Sequence, residues 1–97
     1  MKVFDLKEME PEEKAEVFYN ADEFKARLID LQAGGQIPTC EMNLYVLFYV
    51  IDGEVKVTVN GEEKKLDDGN CLVTEPATLS MKTEEGAEIL GIQISKR

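Results

Sequence analysis

Ninety-seven residues are expected to form one domain with a modest hydrophobic core, so any site should lie inside it or between two copies of it. With 20 Asp and Glu against 11 Lys and Arg, the net charge is −9. That repels phosphate backbones and anionic head groups, and the short clusters Lys64-Lys65 and Lys96-Arg97 make no binding stripe, so neither nucleic acid nor a membrane is expected as a partner.

Residues 1–8 lack the apolar run of a secretory signal. Val3, Phe4 and Leu6 are suited to starting a strand, and Glu10-Pro11-Glu12-Glu13 reads as a turn or a short helical start. Strands are expected over residues 15–19 and over Phe24–Leu31, separated by Asn20-Ala21-Asp22. The irregular alternation of the second (Phe24, Ala26, Leu28, then Ile29 and Leu31) implies either a bulge or burial on both faces.

Gly34-Gly35 breaks the chain before residues 44–51, the longest apolar run at eight residues, far short of the ~20 needed for a membrane-spanning helix. One face of that run (Leu44, Val46, Phe48, Val50) suits a barrel interior. The other (Tyr45, Leu47, Tyr49, Ile51) needs cover from the N-terminal strands or from a second copy, so a homodimer is an open expectation. Asp52-Gly53 and Asn60-Gly61 are both strong hairpin signals flanking the alternation Val55, Val57, Val59. Asp68-Gly69 turns into residues 71–75, Pro76 punctuates, and a strand over 79–83 follows. Glu85-Gly86 then turns into residues 89–94, where Leu90, Ile92 and Ile94 share one face. Short strands with turns at this spacing predict an all-β barrel or sandwich. Without an expected export signal, the protein is read as cytoplasmic, with Cys40 and Cys71 as thiols, Cys40 buried and unreactive and Cys71 structural.

The spacing resembles the cupin family. Its first motif runs Gly, His, His, Glu, Gly, and its positions fall here on Gly34, Cys40, Met42, Val46 and Gly53. The second motif places its Gly on Gly69, its Pro on Pro76 with one residue too many between them, its inner Gly on Thr78, its His on Met81 and its Asn on Glu85. The resemblance implies a small antiparallel double-stranded β-helix, or jelly-roll, over 1–97. Residues 1–23 then form an N-terminal strand-and-turn segment and residues 24–95 the barrel core.

The family's usual metal site uses three imidazoles and a carboxylate, and this chain contains no His. His-based acid–base or nucleophile-pair chemistry is therefore excluded. Cys40, Met42, Val46, Phe48 and Met81 become the candidate ligand-pocket residues of a non-enzymatic, metal-free binding or accessory barrel. The alternative uses Cys40, Met42 and Met81 as soft sulfur donors for copper as Cu(I). A further alternative is metal-independent catalysis by carboxylates or tyrosines. The candidate polar groups for a ligand pocket near the motif segments are Thr39, Glu41, Tyr45, Tyr49, Thr74, Glu75 and Ser80.

Overall fold

The computed structural model describes residues 1–95; the Lys96-Arg97 pair lies outside the described residues. Eight strands follow in order: β1 (Ala15–Asn20), β2 (Phe24–Leu31), β3 (Gln36–Met42), β4 (Tyr45–Val59), β5 (Glu62–Asp67), β6 (Cys71–Thr74), β7 (Ala77–Lys82) and β8 (Ala87–Ile94). Every pairing is antiparallel, and no described residue is helical. One sheet runs β1-β2-β8-β4-β6 and the other β3-β7-β4-β5, so β4 belongs to both and the strands curl into a half-open barrel.

That sharing corrects the reading of Asp52-Gly53 as a hairpin. β4 runs straight through it, its first half bonded to β8 and β6 and its second half to β5 and β7. A register shift between Val50 and Asp52 and a positive φ of 95° at Gly53 bend the strand from one sheet into the other. A side chain at Gly53 would collide with the Gly86 carbonyl, and its N–H donates to Asp68 Oδ1 at 2.7 Å. Tertiary packing, not local turn chemistry, decides this site. Asn60-Gly61, by contrast, is the expected two-residue turn: φ is 48° and 85°, and Val59 pairs with Glu62 across it.

The irregular alternation in β2 comes from burial on both faces. β2 pairs with β8 in unbroken register from Phe24↔Ile94 to Leu31↔Ala87, and the register shift lies in β1, between Val17 and Tyr19. Ile29 and Leu31 join the core with Val46, Val50, Val55, Val57 and Ile89, while Phe24 and Ala26 meet Phe4, Leu6, Leu90 and Ile92 on the opposite side. Residues 1–5 form no strand; Phe4 packs edge-on against Phe18 at 4.8 Å instead. Leu90, Ile92 and Ile94 do share one face of β8, but it is the outer one, and the barrel side is Ala87, Ile89, Gly91 and Gln93.

The N-terminal strands leave the outer face of β4 partly open. Tyr45 and Tyr49 remain exposed, as do Val73 and Ile94 on the flanking strands. Cys40 and Cys71 are likewise exposed free thiols: Cys40, expected to be buried, stands at the barrel mouth, and Cys71 lies on the edge strand β6. Among the described residues no helix is long and apolar enough to cross a membrane.

Candidate functional site

The barrel interior is filled at one end and hollow at the other. Three layers can be followed across neighbouring strands β2, β8 and β4. Ile29, Ile89 and Val50 are in register and buried, and one layer outward come Arg27, Gly91 and Phe48. The next pairs Gln93 with Val46. The middle layer has Gly91 where the layers on either side have Ile89 and Gln93, and a cavity of about 130 Å³ opens there. A methyl group on Gly91 would stand 3.3–3.4 Å from Arg27 Cγ, Ile29 Cδ1 and Phe48 Cε1, so this glycine is what lets the three side chains share the space.

The opposite wall comes from β3 and β7. Leu79 and Met81 are buried and reach the cavity by simple alternation along β7. β3 reaches it through an irregularity. Ile37 pairs with Met81 and Cys40 with Leu79, three steps on β3 against two on β7, with Pro38 inside the bulge. Proline has no N–H to lose there, and the extra residue re-phases the strand. Ile37, Cys40 and Met42 consequently all border the cavity, which a regular strand would forbid for residues three apart.

All five residues singled out from the sequence, Cys40, Met42, Val46, Phe48 and Met81, thus line one cavity. Of the polar candidates only Ser80 borders it; Tyr45 and Tyr49 face outward, and no carboxylate or tyrosine is among its lining residues. Among the described residues no cluster of three or more Cys, Asp or Glu is arranged to hold a metal, and Cys40, Met42 and Met81 are the sulfur residues that border the cavity.

Several lining residues escaped the sequence reading, Arg27, Gly91 and Gln93 among them. Arg27 lies on the barrel side of β2, its Nη2 donating to Gln93 Oε1 at 3.0 Å while its buried Nε–H meets no acceptor. Arg27 is in phase with Ile29 and Leu31, but only its pairing with Gly91 marks it as facing the barrel side. A second charged feature lies on the outer side at the filled end. Asp30, Glu88 and Asp52 stand in register on three adjacent strands. Burial, then repulsion from Asp30 and Asp52, pushes the Glu88 carboxyl above its ordinary value, with Lys7 opposing.

No family model and no curated protein matches this sequence. Solved structures do. The cupin domain of Cnp3 from Schizosaccharomyces pombe is similar with a TM-score of 0.84 and 16% identity, covering 97% of this chain and 74% of that one. A conserved protein of unknown function from Streptococcus pyogenes is similar at 0.83 and 15% identity over 99% and 89% of the two chains. A cupin superfamily protein from Desulfitobacterium hafniense is similar at 0.83 and 15% identity over 94% and 87%. At such identities the agreement concerns backbone architecture, and what it establishes, together with the eight antiparallel strands and the shared β4, is that this chain has the cupin fold.

Proposed function

We propose that the protein is a metal-free barrel that binds a small organic molecule in the cavity at its mouth. The observation that carries this reading is the cavity itself: about 130 Å³ and bordered largely by apolar side chains, including Val46, Phe48, Leu79 and Met81. A cavity of roughly 150 Å³ lined by aliphatic and aromatic groups can take up benzene, so a ligand of comparable size fits. The methionines make the test selective, because Met42 and Met81 border the cavity whereas Met1 and Met9 do not. In a methyl NMR titration with toluene, saturable shifts of the Met42 and Met81 signals are expected, with Met1 and Met9 still. Shifts spread equally over all four, or none, would sink the reading.

A second reading rests on Cys40, Met42 and Met81 bordering the same space: a Cu(I) site of one thiolate and two thioethers. It expects about one equivalent of copper retained after desalting under reducing conditions and lost in Cys40→Ala. As to assembly, the bare face of Tyr45, Tyr49, Val73 and Ile94 supports a homodimer, for which light scattering at high concentration is the check. Two free thiols support a cytoplasmic setting.

A further inference from the structure

We infer that the cavity is a carboxylate site: Arg27 receives the carboxylate of a small organic acid whose apolar body lies among Val46, Phe48 and Met81. This rests on the small-ligand reading above and names the chemistry of the ligand.

Arg27 carries a charge with no counterpart beside it among the described residues. Arg27 is half-buried, and a guanidinium partly withdrawn from water is favoured by a paired anion and satisfied donors. Arg27 makes no ion pair among the described residues, its one side-chain partner is the neutral Gln93, and its Nε–H is buried without an acceptor. This occurs in a chain with 20 acidic residues, none of which borders the cavity. Arg27 therefore borders one side of the cavity as a cation with no paired anion, and the other walls are largely apolar. Gly91 supplies the clearance that lets the Arg27 stem pass beside Phe48. Gln93 fixes one edge of the guanidinium and has an amide nitrogen left over as a further donor.

The kind of anion follows from the same surroundings. A planar carboxylate matches the paired donors of a guanidinium. A phosphate ester would bring a second charge, and the described residues offer no helix N-terminus to receive it; the chain's overall −9 opposes it further. At about 130 Å³ the space suits a short aromatic or branched aliphatic monoacid.

The test compares benzoate with its neutral analogue benzamide on the full chain by calorimetry or NMR titration. Benzoate is expected to bind at least about tenfold more tightly, the worth of charge-assisted hydrogen bonds. Arg27→Met is expected to erase that preference. Gln93→Glu gives a control independent of whether Arg27→Met folds. It sets a carboxylate of the protein's own beside Arg27, and should raise the thermal midpoint while removing the benzoate preference. Equal affinity for the two probes, or a preference that survives Gln93→Glu, overturns the carboxylate assignment and leaves the small-ligand reading standing. No uptake of benzoate, benzamide or toluene overturns both.

Discussion

The two ends of this barrel are built from the same three strands and behave differently. At one end Ile29, Ile89 and Val50 stand abreast on β2, β8 and β4 and are 2%, 0% and 0% exposed. One layer outward the same strands offer Arg27, Gly91 and Phe48, and the packing opens into a cavity. No change of backbone architecture is needed. Deleting one side chain in the middle strand and placing a long one in the next is enough to turn core into a cavity, while the filled layers beneath hold the strands in place.

The comparison is most exposed at its filled end. Ile89→Ala should cost about 3 kcal/mol, because the surrounding layer has no solvent to admit and cannot collapse. Met42→Ala at the half-buried mouth should cost about 1 kcal/mol or less, since its side chain already borders a void. Denaturant unfolding of the two variants decides it; similar losses would mean that the hollow end is as tightly organised as the filled one.

Glycines at the two ends give the next largest contrast. Gly53→Ala is expected to cost about 2 kcal/mol or more, since the residue has a positive φ and would meet the Gly86 carbonyl where β4 bends between sheets. Gly91→Ala should cost about 1 kcal/mol, as three side-chain atoms need only give way slightly, yet it should abolish toluene uptake. A Gly91→Ala protein that still takes up toluene would show that this glycine is not what makes the cavity.

The smallest effect concerns the outer side of the filled end. Folding raises the Glu88 carboxyl above its ordinary 4.5, so its ionised form is held unfavourably at neutral pH. The sign is that the penalty is present above the raised folded value, shrinks as pH falls through it, and is gone below 4.5. Glu88→Gln is therefore expected to raise the melting midpoint modestly at pH 7 and to lose that advantage as the pH drops to 4.5. A gain that is the same at both pH values would point to packing instead of charge.

How much of this could be read in advance depended on whether the cause was local. Asn60-Gly61 announced its turn because both residues tolerate positive φ and the strands on either side are adjacent in sequence. Asp52-Gly53 carries the same local signal and does something else, because the need for glycine there comes from Gly86 more than thirty positions away. The cavity walls contributed by motif positions, Cys40, Met42, Val46 and Met81, were visible through spacing. Arg27 was not, since a charged residue in a strand normally faces water and only the pairing with Gly91 reveals the space before it. Cys40 misled for a related reason: its residue type favours burial, but the bulge at Pro38 carries it to the barrel rim.

The position of β8 has a consequence for how the molecule comes into being. It is the last of the eight strands in chain order, yet it lies between β2 and β4, and it is the strand that joins them. Before it docks, the inner faces of β2 and β4 have no common neighbour, and Arg27 and Phe48 belong to separate pieces of chain. Hairpins such as β4–β5 can close early on local contacts, but the decisive step must bring residues 24–31 to residues 87–94, a long loop closure of the kind that slows folding. A chain cut before Ala87 would retain most of the hydrophobic residues and still have neither a barrel nor a cavity, and its uncovered strand edges would be open to pairing with other copies.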